Sequence, residues 1–396
     1  KGLHVLPGVM DTQVHFREPG NAHKEDLATG SLAAILGGVT SVFEMPNTSP
    51  PTTNAAAIED KLARAKGRMH CDHAFYAGAT PQNIEDLAVL ERMPGVCGIK
   101  AFLGSSTGTL LLSRHADILA ALKSGHRRVA VHSEDEDRLV ERKKYAERGK
   151  PTTHPVWRDV ETARLSTERV LRLARAAGRR LHVLHVTTGE EIPLLAAAKD
   201  FATAETTPQH LTLSAPECYE RLGTYAQMNP PIRDERHRLA LWQAVREGVI
   251  DVIGSDHAPH TREEKDKDYP DTPSGMPGVQ TLATILLDHV NKGNLTLERF
   301  VDLTASGPQR IFGIAGKGRI ARGYDADFTI VDLNHTRTIE NSWIASRCGW
   351  TPFDGMRTKG WAVAAILRGQ TVMRDFALTK ASQGQALRFV ETLQPA

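Results

Sequence analysis

The sequence lacks long apolar runs, has few cysteines and carries almost no net charge, and each shortage removes a class of protein. Runs such as Ala362–Leu367 fall far short of the ~20 residues that a membrane-spanning helix needs. The four cysteines, Cys71, Cys97, Cys218 and Cys348, lie far apart with no C-x-x-C pair. Neither a disulfide framework nor a thiolate metal site is therefore indicated, and the cytoplasm is the expected compartment. A net charge of +2 without a long basic run gives no electrostatic reason for a nucleic-acid or membrane partner. No G-x-G-x-x-G follows the first strand, so a dinucleotide site is not supported. Internal repeats and low-complexity tracts are also missing. What remains is 40% apolar and 24% charged, an ordinary globular composition. At 396 residues the chain exceeds one ordinary core, but a large barrel with a small satellite fits.

The chain alternates short β-rich apolar runs with amphipathic stretches. Strands are predicted at Val9–His15, Thr40–Met45, His73–Tyr76, Gly98–Phe102, Val129–His132, Leu181–Val186, Ala202–Thr206 and Asp251–Gly254. Helical patterns such as Glu25–Leu36, Ala55–Ala65, Thr162–Ala176 and Leu239–Arg246 lie between them, several closed by glycine at Gly37, Gly67, Gly178 or Gly248. Eight strand–helix units make a (β/α)₈ TIM barrel over residues 3–314, with a doubly wound open sheet as runner-up. The texture changes over residues 315–396. Arg319–Leu333 and Gly360–Arg374 read as antiparallel strands with turns at Gly323 and Gly369. A few such strands are marginal alone, so this β-sandwich-like satellite is expected to need a further layer. The first strand begins almost at Lys1, which is not a methionine, and the missing layer is expected in a lost N-terminal piece. The most polar loop, Thr261–Asp271, reads as solvated surface. Its extension Thr261–Gly278 is the longest polar, Gly/Pro-punctuated stretch available to close over a ligand.

Barrel enzymes carry their chemistry at the C-terminal ends of strands. Here those ends hold Gln13 and His15, Lys100, His132, His185 and Asp256. Taken singly, each has a bland explanation in a carbonyl-bonded core histidine or a lysine snorkelling to the rim. Five strand ends aimed at one mouth go beyond chance burial of costly groups. Imidazoles and a carboxylate without thiolate suit Zn²⁺ or another divalent first-row ion. Lys100 as an ammonium cannot bind a cation. Burial favours its neutral amine, which can add CO₂ to form a carbamate able to bridge two metals. The alternative is an uncarboxylated active-site cation.

The chain resembles the cyclic amidohydrolases, and within them the dihydroorotases. The likeness rests on Pro7-Gly8-Val9-Met10-Asp11, His15-Phe16-Arg17-Glu18-Pro19-Gly20, Met45-Pro46-Asn47-Thr48 and Thr207-Pro208-Gln209-His210-Leu211. It continues through Met228-Asn229-Pro230-Pro231-Ile232-Arg233, Ser255-Asp256-His257-Ala258-Pro259-His260 and Ser274-Gly275-Met276-Pro277-Gly278-Val279. This resemblance implies one or two zinc ions, the first on His15, Lys100 and Asp256 and the second on Lys100, His132 and His185. Position 13, a histidine in the family, is Gln13 here, which weakens the first site. Asp256 would move the proton between attacking water and the leaving amide nitrogen. Arg17, Asn47 and His260 would grip the free carboxylate of dihydroorotate, with Asn229 and the backbone near Gly275 on the ring's amide edge. His210, His257 and His115 are left as structural or surface residues.

The expected reaction is the reversible hydrolysis of dihydroorotate to N-carbamoyl-L-aspartate in pyrimidine biosynthesis. Competing readings are a hydantoinase- or allantoinase-like enzyme, whose substrates lack the carboxylate that Arg17 would grip, and a catalytically silent homologue that partners aspartate transcarbamoylase. A homodimer is also common among such barrels.

Overall fold

The computed structural model describes residues 2–106, 108–381 and 384–393. Eight parallel strands form one sheet in chain order: β2 (Val9–Val14), β3 (Val39–Glu44), β4 (Asp72–Gly78), β5 (Val96–Phe102), β6 (Val129–His132), β7 (Leu181–Val183), β8 (Ala202–Thr206) and β9 (Val252–Ile253). A bridge between Val14 and His257 joins the last strand's extension back to β2 and closes the barrel. All eight strands lie where the apolar runs predict them. Parallel strands are covered on both faces and so read as continuous apolar segments. The helices begin and end on the expected signals: Asp26, Asp159 and Asp234 cap Leu27–Leu36, Val160–Ala177 and Glu235–Glu247, and the last two stop at left-handed Gly178 and Gly248.

The apolar lead, expected as one strand, is two. β1 (His4–Pro7) pairs antiparallel with β10 (Phe328–Thr338) in a second sheet that runs on through β11 (Arg357–Leu367), β12 (Gln370–Arg374) and β13 (Ala377–Leu378). Gly8 marks the crossing between sheets, where a Cβ would sit 2.3 Å from Thr40 Oγ1. The strand expected over Arg319–Leu333 starts only at Phe328, and Gly323 lies in a turn ahead of it. The barrel itself contributes to the satellite. β1 extends the sheet, and the barrel helix Leu282–Asn291 packs on β11, where Asp288 Oδ1 accepts from Lys359 N at 2.9 Å. The boundary at 314 is also crossed from the other side, because the segment around Ala386–Phe389 returns to bridge His73 and Ile314 at the barrel floor.

Barrel and satellite are clasped by one buried cation. Lys317 Nζ meets Asp72 Oδ2 at 2.6 Å, Asp325 Oδ2 at 3.1 Å and Asp327, while Arg368 Nη1 takes both oxygens of Asp72 at 2.6 Å. Burial alone would push the Lys317 ammonium down, but the Asp72 and Asp327 carboxylates hold it above its usual value. Removing one member of such a buried set costs about 3–5 kcal/mol, because the remaining charges are left unpaired. Lys317→Met should therefore lower the melting temperature by several degrees, with turnover unchanged at temperatures where the variant is folded. Thermal melts beside initial-rate assays check both.

Candidate active site

The strand ends surround a small, mostly polar cavity. Its wall carries Gln13, His15, Arg17, Asn47, Lys100, His132, His185, Asn229, Asp256 and Gly275, together with Phe102, Ser106, Ala258 and Ser274. Ten of the eleven expected site residues thus share one cavity. His260 stands behind the wall: its Nε2 lies 3.3 Å from Arg17 Nη2 and 3.1 Å from Ser274 O. Arg17, His185 and Asp256 have φ of +60°, +36° and +45°. This left-handed backbone is costly for residues with a side chain and is typical of functional turns. Each of these turns ends a strand and directs its residue to the cavity, so Arg17 reaches the wall without the extended run that strand geometry alone would require.

Two pairs of donor groups face each other across Lys100. On one side His15 Nδ1 lies 2.7 Å from Asn47 Oδ1, which assigns the ring proton to Nδ1. The Nε2 lone pair then faces Asp256 Oδ1 at 3.2 Å, two acceptors with room for a proton or a cation between them. On the other side His132 Nε2 donates to Glu134 Oε2 at 2.9 Å, leaving the Nδ1 lone pair toward His185 Nε2 at 3.1 Å. Burial lowers the pKa of all three histidines and favours neutral rings. Among the described residues no three His, Cys, Asp or Glu side chains converge as a metal site on their own. Lys100 lines the same cavity; its charge is felt by His132 and His185, and it feels Asp256 in turn.

Lys100 is 1% exposed and touches no carboxylate, and its Nζ sits 4.4 Å from the centre of the Phe102 ring. Burial, opposed by Asp256 and Glu205, brings its pKa down to about 7. A neutral amine at that position can be carboxylated. Two orphans point the same way: among the described residues Gln13 Oε1 and His185 Nδ1 are buried without a hydrogen-bond partner. The donor set therefore fits a divalent ion between His132, His185 and a Lys100 carbamate. The other side is poorer, because Gln13 Nε2 is engaged in donating to Asp256 Oδ1 at 3.0 Å.

Several functional neighbours were not legible as such. Glu134, fully buried, is gripped by Arg158 Nε at 3.1 Å to each oxygen. Burial would raise its pKa, but the Arg158 charge and the His132 bond bring it down to about 2. The spacing of His132-Ser133-Glu134 was the available signal. His154 Nε2 lies 3.0 Å from Asn229 Oδ1 and holds that amide. Beneath the cavity, burial raises Asp11 to about 7 and Glu205 to about 8. The polar loop Thr261–Asp271 is largely exposed, as expected, but it is anchored at Lys265, which is fully buried and donates to Pro273 O at 2.9 Å.

The model of the amidohydrolase family matches residues 4–372. The chain belongs to the amidohydrolase family. It is 39% identical over 370 residues to the dihydroorotase of Halobacterium salinarum, covering 93% of this chain and 86% of that one. It is 36% identical over 408 residues to the allantoinase of Solibacter usitatus, covering 98% and 87%. Among solved structures, the L-hydantoinase (dihydropyrimidinase) of Arthrobacter aurescens superimposes with a TM-score of 0.92 at 28% identity, covering 98% of this chain and 89% of that one. This amidohydrolase is thus a (β/α)₈ barrel with an antiparallel satellite sheet. No described helix is long and apolar enough to cross a membrane.

CO₂ adds only to the neutral amine of Lys100, so in the metal-free protein the carbamate should grow in as pH rises through about 7. Carbon NMR of protein equilibrated with ¹³C-bicarbonate should show a protein-bound carbamate signal that Lys100→Met lacks. An identical signal in both proteins would place the carboxylation elsewhere.

Proposed function

We propose that this amidohydrolase is a dihydroorotase, opening the ring amide of dihydroorotate to N-carbamoyl-L-aspartate and closing it in reverse, as a step of pyrimidine synthesis. The observation that carries this reading is Arg17. Its guanidinium is 4% exposed, lines the cavity, and spends Nε on Pro259 O at 3.2 Å and Nη2 against His260. The rest of its N–H fork is left for a ligand carboxylate, a geometry that Arg matches bidentately. Burial lowers its pKa only to about 10, so it stays cationic at neutral pH. Asn47 and Asn229, which also line the cavity, provide further polar edges for a planar ring. The dihydroorotase relatives support the same substrate. The hydantoinase and allantoinase likenesses favour a second reading, a ring without the carboxylate.

Lys100 as a carbamate, with His132 and His185, would hold the better-bound divalent ion, and His15 with Asp256 a weaker one. Zinc suits these donors. When bound, the ion supplies Lewis-acid polarisation of the ring carbonyl and makes water acidic enough to attack at neutral pH. The chain's own residues do the rest. Asp256 Oδ1 accepts from Gln13 Nε2 and faces the His15 Nε2 lone pair, which leaves Oδ2 to take the proton of the attacking water and return it to the leaving nitrogen. Glu134 fixes the His132 tautomer, an arrangement that raises a ligand's basicity. Arg17 sets the ring's orientation through its carboxylate, so that one amide bond faces Asp256.

A charge-assisted contact of this kind is worth roughly 1.5–3 kcal/mol. Arg17→Ala should therefore lower kcat/KM for dihydroorotate by about ten- to a hundredfold, while activity on dihydrouracil, the same ring without the carboxylate, should change by less than about threefold. Steady-state kinetics on both substrates decide it. Equal losses would make Arg17 structural and remove the main support for this assignment.

A further inference from the structure

Behind Asp256 lies a buried carboxylate that the reaction does not use. Glu25 is fully buried just ahead of the helix Leu27–Leu36, and every partner it has is a donor. Its Oε1 accepts from Thr29 Oγ1 and from Arg347 N at 3.3 Å; its Oε2 accepts from Ser346 Oγ and faces His257 Nε2 at 3.3 Å. Ser346 and Arg347 come from the satellite, so this one carboxylate gathers the first barrel helix, the satellite and the residue after Asp256.

His257 is held from every side. Its ring Nδ1 accepts from Gly278 N at 3.0 Å, so Nδ1 carries the lone pair and Nε2 carries the proton that is given to Glu25. Its backbone O accepts from His15 N at 2.7 Å, and its strand extension bridges both Val14 and Met276. The residues tied together in this way are those that form the site: His15, the left-handed turn at Asp256, and the Gly275–Gly278 segment. The backbone at Gly275 packs closely on this segment, and a Cβ there would lie 2.4 Å from Ala258 O.

We infer that Glu25 is a positioning residue that acts through His257. By accepting the Nε2 proton it fixes the ring tautomer, and the tautomer fixes the bond to Gly278 N. Without an acceptor at Glu25 the ring is free to carry its proton on Nδ1, which then opposes the Gly278 N–H and releases both the Gly275–Gly278 segment and the turn that aims Asp256. The inference rests on the site being a ring-amide hydrolase, but not on which ring it opens.

The test compares Glu25→Leu with Glu25→Gln in the metal-loaded full chain, at a temperature where circular dichroism shows each variant folded and mass spectrometry shows equal metal. Leucine keeps the volume and removes the acceptor; glutamine keeps an acceptor oxygen for His257. Glu25→Leu should lose about thirty- to a hundredfold in kcat, and Glu25→Gln should stay within about threefold of the wild type. The loss should be the same factor on dihydroorotate and on dihydrouracil, unlike the carboxylate-selective loss expected at Arg17. Lys317→Met provides the comparison for stability alone, since it weakens the fold far from the cavity. Unchanged kcat in Glu25→Leu, an equal loss in Glu25→Gln, or an equal kcat loss in Lys317→Met would each overturn the positioning role. Should Glu25→Leu not fold, Glu25→Asp replaces it: a carboxylate one methylene short should cost about tenfold in kcat, and wild-type turnover would overturn the inference. If the wild type opens dihydrouracil but not dihydroorotate, the substrate assignment fails while the Glu25 comparison still stands on dihydrouracil.

Discussion

Desolvation inside the barrel is the constraint on which the rest of this molecule depends. Lys100, Asp11 and Glu205 all sit inside the barrel, and burial moves an amine down to about 7 and two acids up to about 7 and 8. Groups so close to neutrality respond strongly to any charge brought among them. A cation entering between the His132–His185 pair and the His15–Asp256 pair would draw the acids into ionised form and leave the Lys100 amine open to carboxylation. On the function proposed above, a bound cation offsets this costly polar burial, and the ion pair of Glu134 with Arg158 is the fixed support around it.

Much of this was legible from residue order. Parallel barrel strands betray themselves as apolar runs, and polar residues ending such runs are conspicuous because water cannot reach them. His132 and Lys100 are readable on those grounds alone. Glu134 and Arg158 were not, because an acid and a base 24 residues apart look like solvated charges until the fold buries them together. Glu25 and His257, 232 positions apart, were hidden for the same reason. The split of the N-terminal lead into β1 and β2 was invisible to periodicity, since apolar strands of two different sheets read alike and only the Gly8 crossing separates them.

The satellite is more than an appendage. It receives β1 from the barrel's own lead, it is clasped to the barrel floor through Lys317, Asp72 and Arg368, and it reaches the mouth through Ser346 and Arg347. Contacts at both ends of the barrel make the two sheets one mechanical unit. The family likeness extends across this unit, with residues 4–372 matched.

Selection of a ring bearing a carboxylate is the property on which the proposed function depends. Its most direct test is the ratio of kcat/KM for dihydroorotate to that for dihydrouracil, measured on the metal-loaded wild type under identical conditions. One charge-assisted grip by Arg17 predicts a preference for dihydroorotate of about ten- to a hundredfold or more. Equal turnover of the two rings, or faster opening of dihydrouracil, would contradict it and make this amidohydrolase a hydantoinase-like enzyme instead.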